Sequence, residues 1–293
     1  MTPQNYVEYA IELMEQHAYY QPKIENWQTI TKQALQDAAT IETLPDTYPI
    51  LRHLLKSLDD NHSHLYLPDK ATTGEKTTKP SGIPTGHRIE QWGYLSLPRA
   101  VGNDAEMLHY AEVGQALLRD MPDVPGWVLD LRECRGGNMW AMLSAAGAMI
   151  GDGVYGAFID RNGDRTQWGY QHGVSMYYAT DDIDPEIIYQ VNNPVASSPQ
   201  AMPLAVLCSE RTGSSGEIML ISCIGRSNMC SFGQHTRGVS TANSTYPMPD
   251  GAVLVITTGV CADRHGNIYE YGITPDVVSE EPLEDALNWL RTF

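Results

Sequence analysis

Apolar residues recur at helical spacing through the first 60 positions. Tyr6, Ala10, Leu13 and Met14 mark one helix, and Trp27, Ile30, Ala34 and Leu35 mark a second. Pro45 opens a third segment, with Ile50, Leu51, Leu54, Leu55 and Leu58 on one face. Residues 59–68 then read as a polar turn leading into a short extended piece. Residues 69–86 hold Thr, Lys, Gly and Pro with almost no large apolar side chain, which predicts a loop. From Trp92 the pattern changes. Tyr94–Leu97 is a strand candidate, and 105–121 carries helical periodicity. Trp127-Val128-Leu129-Asp130-Leu131 is a short buried strand, and 139–150 is a helix of small and apolar residues. Leu204–Cys208 is another buried strand, followed by a turn and a helix over 215–224. Strand, crossover helix, strand is the grammar of an α/β core with a largely parallel sheet. Residues 155–200, rich in Tyr, Asp, Asn and Gly, read as an irregular excursion, and 281–290 as a surface helix. The expected organisation is an N-terminal helical subdomain (1–68), a linker (69–91) and a core domain (92–293).

Composition narrows the function. The chain has 293 residues, 42 % of them apolar and 19 % charged, which excludes a disordered chain. No apolar run approaches the roughly 18 residues of a membrane span. The net charge of −17 argues against nucleic acid and anionic membranes as partners. Five cysteines show no C-x-x-C spacing, so neither a disulfide framework nor a zinc site is expected. His62 and His64 stand two apart in an extended segment, with their rings on opposite faces, so shared metal ligation is not expected either. No cofactor is called for. The first residues carry no basic cluster and no apolar stretch, so the cytoplasm is the expected compartment, with export if the natural chain begins earlier.

Candidate chemistry gathers in four places. Thr212-Gly213-Ser214-Ser215-Gly216-Glu217 lies between a strand end and a helix start, where a side chain is exposed and backbone amides are free. The segment reads either as a helix cap or as a nucleophile. It lacks the G-x-S-x-G of an α/β-hydrolase elbow. His62, behind Asp60 and Asn61, is a candidate base. Gly136 and Gly137 follow a core strand and leave amides free to donate. Glu270 stands between aromatic residues near a turn. His235 and His265 are further candidate bases.

In this order the segments resemble peptidase family S41, the tail-specific or C-terminal-processing proteases and their tricorn-like relatives. The motifs are Asp60-Asn61-His62-Ser63, Asp130-Leu131-Arg132 with Gly136-Gly137, Thr212–Glu217, Gly233-Gln234-His235-Thr236-Arg237-Gly238, Met248-Pro249-Asp250-Gly251, and Glu270-Tyr271-Gly272-Ile273-Thr274-Pro275-Asp276. The resemblance implies a ClpP/crotonase-like core of ββα units and a peptide or unfolded protein tail as substrate. It implies Ser214 as nucleophile and an oxyanion hole from the Ser215 amide opposite Gly136 or Gly137. Many members use a Ser–Lys dyad, with Lys where this chain has Val239. No lysine follows Lys79, so that branch is excluded. The tricorn-like branch implies His62 as base and Glu270 as the acid that orients it, with Asp60 and Asn61 in support. Asn61 stands where that branch has Ser. Only 69–91 separates the His segment from the core, too little for a PDZ module. Two rival readings stay open: a non-catalytic binder of an apolar ligand on this core, as in the retinoid-binding proteins, and a small-molecule esterase.

Overall fold

The apolar stripes of the first 60 residues close on one another. In this computed structural model, which describes residues 1–68, 82–179, 184–198 and 201–293, helices span Pro3–His17, Trp27–Ala38 and Tyr48–Lys56. The Thr2 hydroxyl accepts the Asn5 amide at 3.2 Å to cap the first helix, and Pro3 sits where no amide is needed. Leu51, Leu54 and Leu58 are buried with Tyr6, Val7 and Met14. The same core takes in Met248, Ala252, Leu254 and Ile256, which lie far along the chain. These belong to a hairpin in which Thr241–Pro247 runs antiparallel to the first part of Val253–Asp263. The short strand His64–Tyr66 also pairs with that strand, His64 opposite Val255. At the hairpin turn the Asp250 carboxylate accepts the Tyr6 hydroxyl at 2.9 Å, the Tyr48 hydroxyl at 2.7 Å and the Ala252 amide at 3.1 Å. The contacts therefore group the N-terminal helices with 159–164 and 241–260 in one compact unit, larger than the expected helical subdomain.

The second unit holds 82–158, 165–240 and 261–293. Its centre is a six-stranded sheet in the order Val277–Val278, Met229–Gly233, Leu204–Cys208, Trp127–Asp130, Trp92–Ser96, Thr85–Ile89. All neighbours are parallel except the last pair. The crossover helices are Asp104–Arg119 and Ser215–Cys223, and Met139–Ile150 follows the strand Trp127–Asp130. Central strands are buried on both faces, which is why they read as unbroken apolar runs. Leu129 and Val206 pack with the helix Met139–Ile150, whereas Val128, Ala205 and Leu207 pack with Ala286 and Leu290 of the helix Pro282–Leu290. This is the mixed α/β architecture of the ClpP/crotonase-like type.

Two segments differ from the sequence expectation. Thr85–Ile89 is an edge strand where a loop and linker are expected; residues 69–81 lie outside the described residues. Its side chains are mostly exposed, so Thr-Gly-His-Arg-Ile carries no apolar signal. Within 155–200, four strands replace the expected irregular excursion: Gly153–Asp160, Arg165–Gln171, Val174–Tyr178 and Glu186–Gln190. The last three are antiparallel neighbours. Their buried side chains include Tyr155, Trp168, Tyr170 and Met176. The polar atoms of the large aromatics are met inside: Trp168 Nε1 donates to Ser222 Oγ at 2.9 Å and the Tyr155 hydroxyl to the Gly147 carbonyl at 3.1 Å.

Candidate active site

Ser214 stands at the turn from the strand Leu204–Cys208 into the helix Ser215–Cys223, with φ +53° and ψ −121°. A non-glycine residue in that region is strained by about 1–3 kcal/mol and persists only where its surroundings hold it. They do so here from both sides. Before it, Thr212 Oγ1 donates to the Leu131 carbonyl at 2.8 Å and accepts the Ser209 amide at 2.9 Å, and the Gly213 amide donates to the Cys134 carbonyl at 3.0 Å. After it, Ser214 and Glu217 stand at the two ends of a capping box. The Ser214 amide donates to Glu217 Oε2 at 2.9 Å, and the Glu217 amide makes its 2.8 Å bond to the Ser214 carbonyl. Both readings of this serine thus stand together: Ser214 caps the helix with Glu217, and the same bonds hold it in its strained conformation.

Glu217 is fully buried, and its carboxylate accepts four hydrogen bonds. Oε1 takes Thr236 Oγ1 at 2.6 Å and the Gly238 amide at 2.9 Å; Oε2 takes the Ser214 amide and the Val239 amide at 3.0 Å. Burial pushes its carboxyl above the ordinary range, against the downward pull of these bonds. The G-x-x-T-x-G segment thus serves as donors to this carboxylate. Thr236 Oγ1 also accepts the Ile273 amide at 2.8 Å, and Asp276 accepts the Ser231 amide and hydroxyl at 2.8 and 2.7 Å. Asp130, in the D-L-R segment, takes Arg132 through Nε at 3.0 Å and Nη2 at 2.7 Å, and also the Tyr94 hydroxyl.

Two glycines follow that segment, Gly136 and Gly137. Both have positive φ, +96° at Gly136 and +120° at Gly137. A Cβ on Gly136 would lie 2.8 Å from Ser214 Cβ and 3.3 Å from its Oγ; one on Gly137 would overlap the Ala100 carbonyl. Burial pushes the neighbouring Cys134 thiol up to about 12. The amides of Gly137 and Ser215 make no hydrogen bond among the described residues. Ser215 Oγ donates to the Gly137 carbonyl at 2.5 Å, tying these two residues together.

His62, in the other unit, is set by a tight local network. Asp60 Oδ1 accepts the amides of His62 at 2.9 Å and Ser63 at 2.5 Å, and Oδ2 accepts Ser63 Oγ at 2.8 Å. Ser63 Oγ in turn accepts the Thr257 amide at 2.9 Å, and Thr257 Oγ1 reaches Asp60 Oδ1 at 3.1 Å. This explains the D-x-H-S pattern: Asp60 folds the turn and Ser63 pins it to a strand. The His62 ring places Nδ1 2.7 Å from Thr241 Oγ1.

The Glu270 side chain makes no hydrogen bond or ion pair among the described residues. Asn61 is exposed and its side chain is likewise unbonded among them. His235 bridges Thr274 Oγ1 and the Tyr271 carbonyl, both at 3.0 Å, as a loop clamp. His265 donates its amide to Asp263 in a turn. Sequence reasoning missed the parts played by Glu217, Thr236 and Thr241. The motif letters contain the first two, and nothing in the sequence points to the third. Among the described residues no group of three His, Cys, Asp or Glu side chains could hold a metal ion, and no helix is long and apolar enough to cross a membrane.

Comparison with known proteins adds three relatives and a family. The model of peptidase family S41 matches residues 91–279. The chain is 26 % identical over 296 residues to the nisin-resistance protein of Lactococcus lactis subsp. lactis, covering 99 % of this chain and 88 % of that one. It is 25 % identical over 193 residues to the carboxyl-terminal-processing protease of Synechocystis sp., covering 65 % of this chain and 38 % of that protein. A lipoprotein from Streptococcus agalactiae superposes with a TM-score of 0.80 over 100 % of this chain and 97 % of its own, at 23 % identity, a likeness of fold.

Proposed function

The chain belongs to peptidase family S41, and on that footing we propose that it is a serine peptidase cleaving peptides or unstructured protein tails through an acyl-enzyme, with Ser214 as nucleophile and His62 as general base. The observation that carries this reading is the strained Ser214 at φ +53°, held by Glu217 and the backbone beside two amides that are unbonded among the described residues. Strain of this kind clusters at functional sites.

The chemistry follows from the groups present. His62 takes the hydroxyl proton as Ser214 Oγ bonds the carbonyl carbon of the substrate. The oxyanion accepts the amides of Gly137 and Ser215, each such donor being worth about 2.7–4 kcal/mol of barrier. Protonated His62 passes its proton to the leaving amine, the C–N bond breaks, and water repeats the sequence on the acyl-enzyme. A lysine base has no place: Val239 is 6 % exposed and its amide is held by Glu217.

Labelling with a fluorophosphonate followed by peptide mapping tests the reading. The label is expected on Ser214, absent in Ser214→Ala and strongly reduced in His62→Ala. The labelling rate should rise with pH through an apparent pKa of about 6–7, as a histidine base requires. A rise only above about pH 9 would remove His62 from the role. Nisin is the first compound to offer as substrate, given the relative that shares nearly the whole chain. Cleavage of small esters without peptides would select an esterase. No labelling of folded protein, with binding of an apolar ligand, would select the non-catalytic reading.

A further inference from the structure

We infer that Thr241 orients His62, its hydroxyl standing where a triad of this kind carries a carboxylate. The inference rests on the reading of His62 as general base. His62 Nδ1 lies 2.7 Å from Thr241 Oγ1, a bond that spans 179 positions of sequence. Thr241 is 6 % exposed and opens the strand Thr241–Pro247, where it pairs with Val260, so its hydroxyl has a fixed origin. The other side of the bond is fixed as well. The His62 amide is held by Asp60, the His62 carbonyl accepts Nδ1 of His64 at 2.8 Å, and Ser63 is pinned to the Thr257 amide.

The acid nearest in sequence is committed elsewhere. Both oxygens of Asp60 are occupied, by the amides of His62 and Ser63 and the hydroxyls of Ser63 and Thr257. Thr241 and Thr257, two residues that bond this turn from the packed strands, are neutral.

A hydroxyl on Nδ1 does one of the two jobs that a triad carboxylate does. As an acceptor of Nδ1–H it selects the tautomer whose Nε2 carries the lone pair, the form a base needs. It keeps the same bond when the ring gains a proton at Nε2, so nothing has to turn over during the reaction. It adds no negative charge, however, to favour the imidazolium. The positioning of His62 is thus separated from its electrostatic support.

The test uses three variants and two readouts. Thr241→Val keeps the shape and removes the hydroxyl; it should lower kcat/KM, or the fluorophosphonate labelling rate of Ser214, by about 10–100-fold with KM little changed. Thr241→Ser should restore the rate to within about threefold. Thr241→Asp places a charge on Nδ1 and should move the acid limb of the pH profile upward by about one unit. A purely structural threonine would give none of these three signatures. The second readout needs no activity: nitrogen-15 NMR of His62, assigned by its loss in His62→Gln and recorded in the Ser214→Ala background. In that background the Nδ1–H tautomer is expected while Thr241 is present, and a mixture of tautomers once Thr241→Val is added. An Nε2–H tautomer with Thr241 in place, or an unchanged tautomer and rate in Thr241→Val, would overturn the inference. Absent labelling of Ser214 with the Nδ1–H tautomer intact would instead refute the peptidase reading alone.

Discussion

Glu217→Gln removes one charge and one acceptor from a buried site that holds four donors. Two donors face each carboxylate oxygen: Thr236 Oγ1 and the Gly238 amide on Oε1, the Ser214 and Val239 amides on Oε2. A glutamine can accept on one oxygen only. With its NH2 turned toward Ser214 and Val239, two buried amides lose their partner. With its NH2 turned toward Thr236, the threonine oxygen can accept instead, but the Gly238 amide is stranded and the threonine O–H loses its acceptor. Each arrangement strands two donors, and the second strands one backbone amide instead of two. A stranded buried donor costs about 1–3 kcal/mol, less for a hydroxyl that can rotate, and the bonds that remain lose their charge assistance. Relief from burying a carboxylate offsets part of this. The net expectation is a loss of about 2–3 kcal/mol, or a melting temperature lower by roughly 4–10 °C for a chain of this size. Glu217→Ala strands all four donors and should cost more. Urea denaturation of the parent and both variants gives the order, and fluorophosphonate labelling reports whether the Ser214 turn survives. Labelling should decline in the same order as stability. A Glu217→Gln protein as stable as the parent, or more stable, would show that the burial cost of the carboxylate outweighs its four bonds and would refute this account of how Ser214 is held.

Three further outcomes follow from the same geometry. Gly137→Ala puts a Cβ into the Ala100 carbonyl at φ +120° and should cost about 2 kcal/mol or more, with loss of labelling; a normal melting curve with normal labelling would refute the close approach. Asp250→Ala removes the acceptor of the Tyr6 and Tyr48 hydroxyls, both in buried residues, and should cost about 2–4 kcal/mol in urea denaturation, with Asp250→Asn intermediate. Burial, together with the Asp130 carboxylate, pushes the Tyr94 hydroxyl up to about 12 in the folded state. A raised folded pKa means that stability is fully present below the unfolded value of about 10 and falls as pH rises from there through about 12, so Tyr94→Phe should flatten that part of the stability curve; an unchanged alkaline slope would place the loss elsewhere.

The sequence made some elements plain and hid others for identifiable reasons. The N-terminal helices were readable because one face carries Tyr6, Ala10 and Met14 or Leu51, Leu54 and Leu58, all of which are buried. The strands Trp127–Asp130 and Leu204–Cys208 were readable because helices cover both faces and every position is apolar or enclosed. Thr85–Ile89 was not, because an edge strand with exposed side chains has no pattern to show. The meander beginning at Gly153 was not, because its buried positions are Trp and Tyr among polar neighbours. At the candidate site, Ser214, His62 and Gly137 were legible from the order of the motifs. Thr241 was not, since its meaning depends on a partner 179 positions away.

The segments that carry the family resemblance do not all carry chemistry. In the proposed reaction Ser214 and His62 present the reactive atoms, and Gly137 and Ser215 present free amides. Asp60, Thr236, Asp250 and Asp276 each satisfy amides or hydroxyls and hold a turn in place. The strain at Ser214 makes this division necessary. A residue at φ +53° relaxes unless bonds on either side fix it, and here those bonds come from Thr212, Gly213 and Glu217. The two classes separate experimentally. Substituting a holding residue should lower stability and labelling together, because the turn is lost with the bonds that shape it. Ser214→Ala should abolish labelling while leaving stability equal or higher, since alanine removes the reactive atom and keeps the amide and carbonyl through which Glu217 holds the turn.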